Sequence, residues 1–287
     1  MEPTIVVIVL ASAALHPLWN AAVKDDDRPE GAFIGLVVFL MAIAGTHSLI
    51  AGYDLTTIVD VWPLLALSCI GQLLYGTSLV MTFRRGELSA YYPIVRSSPL
   101  FIVFVGVLFL DQTYSLPILF GIAMVLFGAF ALQYRPGFRL LDNPMALFFA
   151  VLAMCGTGIY SMADARAVQV VEPPVMLFWV EVFALPSYLI MFRLYRVSIP
   201  GWGSVFYWAR RPLRAAAIGA AAYTSYILIL VAYSSGGEVA AVTSIRQASI
   251  PLSVLIGGLL LSEGHMWGRL MASTVLAAGI VVIVQSG

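Results

Sequence analysis

The residues of this chain that could do chemistry are charged side chains inside long apolar segments. Arg96 and Arg246 each lie about eight residues into such a segment, about 12 Å deep at a rise of about 1.5 Å per residue. Glu181 lies in the middle of another segment. Because a charge in hydrocarbon is costly unless it faces protein or water, intramembrane charges indicate functional sites. A guanidinium binds carboxylates and phosphonates bidentately, so the arginines predict an anion-binding site.

Each of these charges has a second interpretation. The arginines could instead form a structural ion pair or clamp backbone carbonyls, with Glu181 as one possible partner. Glu181 itself is either a proton carrier or a counter-ion. His16 titrates in the range that proton coupling needs, but a single histidine beside Pro17 also suits helix packing. Glu238, which opens the segment of Arg246, is expected to cap a helix, as is Glu87 before Arg96.

Polar side chains in six of the apolar segments recur every three or four residues, which places them on one face of each helix. These faces predict the interior of the bundle, with aromatic side chains beside the arginines. The predicted substrate-binding residues are Arg96, Arg246, Tyr92, Trp19, Asn20, His16, Gln72, Tyr75, Tyr160, Ser161, Tyr223, Tyr226 and Ser249. The proton-coupling candidates are Glu181 and His16.

The elements that must position these residues are transmembrane helices. Of the 287 residues, 61% are hydrophobic and 10% charged, far from the composition of a soluble domain. A hydrocarbon core of about 30 Å takes about 20 residues per helical crossing. The sequence therefore predicts an all-α polytopic membrane protein with ten transmembrane helices, at about 4–23, 31–50, 62–82, 88–110, 115–133, 144–165, 173–193, 213–234, 238–261 and 267–285.

The chain repeats itself at an offset of 151 residues. The segment Gly86-Glu87-Leu88-Ser89-Ala90 corresponds to Gly237-Glu238-Val239-Ala240-Ala241. Two repeats of five helices, 1–135 and 136–287, must have opposite orientations, which is a plan found in secondary transporters. The helices that carry the two arginines are expected to be interrupted by Pro93, Pro99 and Pro251.

Composition and motifs exclude several classes of function. Lys24 is the only lysine and lies in no P-loop, so the chain should not hydrolyse ATP. A net charge of +0 argues against nucleic acid binding. Asp25-Asp26-Asp27 has no second aspartate cluster to hold Mg²⁺, and three scattered histidines form no metal set. The two cysteines, Cys69 and Cys155, suggest neither a disulfide nor a redox pair. We therefore expect no cofactor, no metal and no enzymatic activity.

Basic residues distribute unevenly between the two predicted sides of the membrane. One side has only Arg166 and carries both termini, whereas the other has twelve basic residues. Positive loops face the cytoplasm, so both termini are predicted to lie outside it, in a multi-pass protein of the inner cell membrane.

These features resemble the EamA-type drug/metabolite transporter superfamily over the whole chain. The likeness rests on the two five-helix repeats, the two Gly-Glu segments and the opening Ala14-Leu15-His16-Pro17-Leu18-Trp19-Asn20-Ala21-Ala22-Val23-Lys24. The resemblance implies a secondary transporter or exporter with a central cavity lined by the first, third, fourth, sixth, eighth and ninth helices. Small multidrug resistance proteins of this superfamily couple protons through a glutamate in the first helix, which this chain lacks.

The expected function is therefore alternating-access transport of a small amphoteric or anionic metabolite, such as an amino acid, carboxylate or phosphonate. The expected partners are this solute, the lipid bilayer and coupling protons. A flippase for a lipid-linked substrate is the alternative within the membrane, and it would need a groove open to lipid. A membrane-embedded enzyme is the alternative of a different class.

Overall fold

The computed structural model describes residues 1–24, 26, 29–85, 91, 94–133, 141, 143–194, 207–250 and 266–286. All the secondary structure in these ranges is helical. The α-helices are α1 (Pro3–Lys24), α2 (Pro29–Ile50), α3 (Trp62–Arg85), α4 (Ser98–Phe109), α5 (Leu116–Gln133), α6 (Pro144–Ala167), α7 (Pro173–Leu194), α8 (Pro212–Ser234), α9 (Val239–Ile245) and α10 (Met266–Ser286). Short 3-10 turns cover Leu55–Val61, Tyr207–Arg210 and Arg246–Ala248.

Several of these helices are suited to a bilayer. Within the described residues, five segments are long and apolar enough to cross a membrane, namely Gly31–Ile50, Leu55–Leu79, Pro144–Ala167, Pro173–Met191 and Pro212–Ser234. Shorter apolar helices cover Pro3–Trp19, Ser98–Phe109, Leu116–Leu132 and Met271–Ser286. The chain is therefore an all-helical protein whose helices suit a membrane, as its composition predicts.

The helices that carry the two arginines are interrupted, as the prolines predict. The chain turns at Arg96, and α4 begins only at Ser98, with Pro99 in its first turn. Proline suits that position because its missing N–H would have no helical partner there. In the second half of the chain, α9 ends at Ile245, and a 3-10 turn begins at Arg246. The predicted segments 88–110 and 238–261 are thus not continuous helices. Pro93, Pro251 and the segment Gly86–Ala90 with Glu87 lie outside the described residues.

Two helix crossings bring backbones into direct contact through glycines. On α3 and α6, a Cβ at Gly71 would lie 2.9 Å from the carbonyl oxygen of Gly156, and a Cβ at Gly156 would lie 2.7 Å from that of Gly71. On α5 and α10, Gly121 and Gly279 approach each other's carbonyl oxygens at 2.9 and 2.8 Å in the same sense. Small residues allow such approach between membrane helices, where dispersion contacts replace the hydrophobic effect.

A third crossing, between α1 and α8, is made by hydroxyl groups. Ser12 Oγ donates to the carbonyl of Ser225 at 2.6 Å, and Ser225 Oγ donates to the carbonyl of Ser12 at 3.1 Å. Both serines are buried. Helix α2 packs against α7 and α8, while α9 packs against α4 and α1. These contacts enclose an interior, and the regular spacing of polar residues on the helix faces predicts that the candidate site lies there.

Candidate functional site

A small polar cavity lies where α1, α3, α6 and α9 meet the two helix interruptions. Its volume is about 30 Å³. That is room for one or two water molecules. The lining combines two guanidinium groups with hydroxyl, phenol and amide side chains, and it consists of His16, Tyr75, Val95, Arg96, Ser98, Thr157, Tyr160, Thr243, Arg246 and Gln247. No carboxylate is among these residues.

Arg96 is held by neutral acceptors from the opposite interruption. Its Nε donates to Gln247 Oε1 at 3.1 Å, and its Nη2 donates to Ser249 Oγ at 2.8 Å and to the carbonyl of Arg246 at 3.5 Å. In return, Gln247 Nε2 donates to the carbonyl of Arg96 at 2.8 Å. The guanidinium therefore ties the two interrupted helices together. This arrangement fits the clamp interpretation of Arg96 without an ion pair to Glu181.

Arg246 is more deeply buried, with 9% of its surface exposed, and has fewer partners. Its Nη2 lies 3.4 Å from His16 Nδ1, and its Cζ lies 5.7 Å from the ring centroid of Tyr226. Its Nε is buried and has no hydrogen-bond partner in the described part of the chain. The two arginines thus differ, because Arg96 donates to three protein acceptors from the opposite interruption, whereas Arg246 retains a buried donor without a partner in the described part of the chain.

His16 lies between the two guanidinium groups. Its Nε2 is 3.4 Å from Arg96 Nη1, while its Nδ1 faces Arg246. A neutral imidazole has one acceptor nitrogen and one donor N–H, and an imidazolium ion has no acceptor. His16 can therefore accept from one arginine at a time, and its tautomer decides which guanidinium it holds. Trp19 packs edge-on against the ring, with centroids 4.8 Å apart.

A carboxyl pair lies on the other side of Tyr226. The hydroxyl of Tyr226 donates to Asp164 Oδ2 in a short hydrogen bond. Asp164 on α6 and Glu181 on α7 are 1% and 6% exposed and interact electrostatically. Among the described residues, Glu181 forms no ion pair with an arginine. The carboxyl group with which it interacts is that of Asp164, so this arrangement does not support the counter-ion hypothesis.

The other predicted residues distribute as follows. Tyr75 and Tyr160 line the cavity with their rings 6.0 Å apart, and Ser249 bonds to Arg96. Ser161 is buried on α6. Gln72 accepts a hydrogen bond at its backbone carbonyl from Tyr188, at 3.3 Å. The side chain of Asn20 and the whole of Tyr92 lie outside what the structure describes.

Tyr223 lies apart from the cavity. Its hydroxyl pairs with His47 Nδ1 at 2.5 Å, near the end of α2. Tyr226 is three residues further along the same helix and turns toward Asp164 instead. The prediction for Glu238 is confirmed, since its carboxylate accepts from the amides of Ala240 and Ala241 at 2.8 and 2.7 Å and so caps α9.

Sequence reasoning missed six residues, namely Asp164 and five that line the cavity, Val95, Ser98, Thr157, Thr243 and Gln247. Gln247 stands 151 residues after Arg96, so the repeat offset pairs Arg96 with Gln247, and Arg246 is one position earlier. The offset itself was the signal that could have found Gln247. Asp164 belongs to a predicted polar face but is not among the predicted site residues. A carboxylate one turn beyond Tyr160 and Ser161 was the available signal.

The fold is shared with proteins of known structure, 29 chains of which match this one. One crystal structure, described only as that of a protein, superposes with a TM-score of 0.79 over 100% of this chain and 99% of its own. Its sequence identity is 17%, so the likeness shows the fold alone. No family model and no curated protein matches the sequence.

Proposed function

We propose that this chain is a secondary transporter of a small anionic or amphoteric metabolite and works by alternating access. The observation that carries the proposal is Arg246, a buried guanidinium that faces a polar cavity and has no ion-pair partner among the described residues. A charge taken out of water needs compensation, and an uncompensated one costs several kcal/mol. A solute oxyanion supplies that compensation.

The chemistry of the cavity favours an oxyanion over other ligands. Arg246 offers a planar fork of donors to a cavity whose lining contains no carboxylate, while the hydroxyl groups of Thr157 and Thr243 donate to carbonyls of their own helices. Tyr75 and Tyr160 supply an aromatic wall for the rest of the solute. Carboxylates, phosphonates and the carboxylate end of amino acids share this recognition, so they form the proposed substrate class.

The size of the cavity supports movement during transport. Small-molecule sites usually measure about 300–1,000 Å³, far more than the observed cavity of about 30 Å³. A metabolite enters only when the helices around Arg246 separate. Interrupted helices at corresponding places of two halves are a usual setting for such sites. The turns at Arg96 and Arg246 provide such a pair.

We also propose that the halves 1–135 and 136–287 are inverted five-helix repeats of a ten-helix EamA-type architecture. Exchanging the halves would exchange the α3/α6 contact with the α8/α1 contact and map the α5/α10 contact onto itself. All three contacts occur. The reciprocal hydrogen bonds of Arg96 and Gln247 at the repeat offset add support.

The proposed location is the inner cell membrane, with both termini outside the cytoplasm. The support is the distribution of twelve basic residues against one. Fusions of a reporter after Gly287 test this topology. A reporter that is active only outside the cytoplasm should be active in this fusion. If only a reporter that needs the cytoplasm is active, the proposed orientation is wrong.

The test of function compares two arginine substitutions in purified protein reconstituted in liposomes. A panel of amino acids, carboxylates and phosphonates is screened by thermal shift and then by uptake of labelled solute. Hydrogen bonds to charged groups contribute about 1.5–3 kcal/mol, so Arg246→Ala should weaken anion binding about 10- to 150-fold. Arg246→Lys should also be impaired, because lysine provides only a point charge.

The matched control is Arg166→Ala, which removes an exposed arginine. It should leave binding and uptake unchanged. Arg96→Ala should lower the unfolding temperature more than Arg246→Ala, because Arg96 ties the two interruptions together. Normal uptake by a folded Arg246→Ala variant would refute the anion site. A covalently altered solute recovered from the liposomes would favour an enzyme instead.

A further inference from the structure

Asp164 and Glu181 form a buried acidic pair outside the anion cavity. Asp164 on α6 and Glu181 on α7 are both buried, both helices pack against α3, and the two carboxyl groups interact electrostatically. Within the described ranges, neither has an ion-pair partner. Two adjacent carboxyl groups removed from water do not both ionise without a cation. One of them therefore binds a proton or another monocation.

Unsatisfied atoms point to the place where this cation binds. Asp164 Oδ1 and Glu181 Oε2 are fully buried and have no hydrogen-bond partner in the part of the chain described. Ser68 on α3, the helix that packs against both α6 and α7, places its buried hydroxyl beside Asp164. Buried polar atoms are normally hydrogen-bonded, so the two carboxyl oxygens without a partner indicate a place where a proton or cation binds.

Among the described residues, the side chains that interact electrostatically with one carboxyl group or the other are thiol and phenol groups. They are Cys69 on α3, Tyr188 on α7 and Tyr226 and Tyr233 on α8. Phenols and thiols are neutral near pH 7. The guanidinium of Arg246 lies against the ring of Tyr226, and in the described part of the chain it forms no ion pair with Asp164.

Tyr226 connects this pair to the anion cavity. Its hydroxyl donates to Asp164 Oδ2, while its ring lies under the guanidinium of Arg246. One rigid phenol thus touches a group of each site. A change in the charge of either site alters the position or polarity of the same side chain.

We propose that Asp164 and Glu181 are a proton-binding site, coupled through Tyr226 to the anion cavity, so that one proton crosses the membrane with each solute anion. The inference rests on the proposed function. The proton comes from water on one side, binds a carboxylate oxygen of the pair, and leaves to water on the other side. The anion at Arg246 and the proton at the pair add no net charge to the interior, which lowers the cost of crossing.

The first test is independent of any solute. Infrared spectroscopy of the full chain in lipid distinguishes a protonated carboxylic acid, by its carbonyl stretch, from a carboxylate. The wild-type protein should show a buried acid band at neutral pH. The band should be lost in Asp164→Asn with Glu181→Gln and reduced in Glu181→Gln alone. Asp60→Asn, which removes an exposed carboxylate before α3, should leave it intact.

Two results of this first test would refute the proton site. One is the absence of the band, or its persistence in the double variant. The other is a band that changes with added Na⁺ at constant pH, which would show that the pair binds a metal cation instead of a proton.

The second test measures coupling in liposomes that contain a pH-sensitive dye, with acetate, benzoate and methylphosphonate as probe anions. Wild-type protein should move protons with any probe that it transports. Tyr226→Phe retains the ring under Arg246 and loses the hydroxyl, so the number of protons that accompany each anion should fall by a larger factor than the affinity for the probe anion. Anion flux without protons in the wild type would refute coupling. If no probe moves at all, the proposed function fails, whereas the infrared band still decides the proton site.

Discussion

The α3/α6 crossing and the α1/α8 crossing, which the proposed two-fold relation would exchange, are built differently. At the first, Gly71 and Gly156 bring two backbones together with no side chain between them. At the second, Ser12 and Ser225 join the helices by reciprocal hydroxyl-to-carbonyl bonds. Interlocked backbones resist displacement because any shift creates a clash or a void. Hydroxyl bonds can be exchanged for water or for other acceptors.

Under the proposed function, the difference between the crossings indicates which helix pair would move during transport. Helix α1 carries His16 and helix α8 carries Tyr226, and each contacts Arg246. Separation of α1 from α8 would open the cavity at the guanidinium, while α3 and α6 stay together. We therefore infer that the glycine crossing is the fixed part of the bundle and the serine crossing is the moving part.

The largest expected effect is on the fixed crossing. A Cβ at Gly156 would lie 2.5 Å from the backbone nitrogen of Tyr75, so Gly156→Leu forces α3 and α6 apart. Overpacking lowers the free energy of unfolding by about 1–3 kcal/mol, and by more where the added atoms clash with backbone atoms. We expect little folded protein and a strongly lowered unfolding temperature in detergent. The control is Gly268→Leu, where a Cβ meets nothing within 4 Å. Equal stability of the two variants would contradict a tight crossing.

The next effect is a loss of transport without a loss of fold. Ser12 Oγ and Ser225 Oγ lie 3.4 Å apart, so cysteines at both positions should form a disulfide after a small shift. The background is Cys69→Ala with Cys155→Ala. Oxidation should stop solute uptake, and reduction should restore it. Each single cysteine variant serves as a control. Undiminished uptake by the cross-linked protein would show that α1 and α8 do not separate.

A smaller effect is expected from removing the hydroxyl groups. Ser12→Ala with Ser225→Ala deletes two hydrogen bonds, each worth about 0.5–1.5 kcal/mol and often less in membrane proteins. The unfolding temperature should therefore fall by less than it does in Gly156→Leu. Thr224→Ala is the matched control, because the Thr224 hydroxyl bonds within its own helix to the carbonyl of Ala220 at 2.8 Å. If the unfolding temperature falls as far as in Gly156→Leu, the serine crossing is as important for stability as the glycine crossing, and the proposed distinction between them is wrong.

The smallest effect concerns the turn that leads into α3. Asp54 accepts hydrogen bonds from the amide and the hydroxyl of Thr56, at 2.8 and 2.7 Å, and these bonds hold the pKa of Asp54 below its usual value. The stabilisation is therefore complete above the unfolded value of about 3.9 and is lost as the pH falls through the folded one. The protection of residues 55–61 against hydrogen exchange, measured relative to the intrinsic exchange rate at each pH, should fall in acid. Asp54→Ala should remove this pH dependence, and α8, whose start carries no carboxylate cap, should show none.

Much of the helical framework could be predicted from the sequence, because apolar run length and proline position are local properties. The ends of α2, α6 and α7 lie within about two residues of their predicted places. The grouping of His16, Arg96 and Arg246 also follows from helical spacing, since polar side chains in apolar helices turn inward together. Crossing of a membrane stays a prediction for the shorter helices.

The partners within the site could not be predicted in the same way. Spacing places Tyr223 and Tyr226 on one face, but only the packing of α2 and α6 decides that one meets His47 and the other meets Asp164. The two arginines also lie at the same predicted depth in their apolar segments, so depth offers no reason to distinguish them. Their difference arises from side chains that arrive from another helix, as Gln247 does at Arg96.

The bond between Arg96 and Gln247 has a consequence for how such a chain could have arisen. Under the proposed two-fold relation, these are one position of an ancestral five-helix unit, present twice. A pair of identical units would bring the same side chain face to face, and two arginines there would repel. Fusion of two copies in one gene allows each copy to mutate separately, so that a donor in one half meets an acceptor in the other. On this relation, Arg96 is held in place by a neutral partner because the sequences of the two halves have diverged at this position.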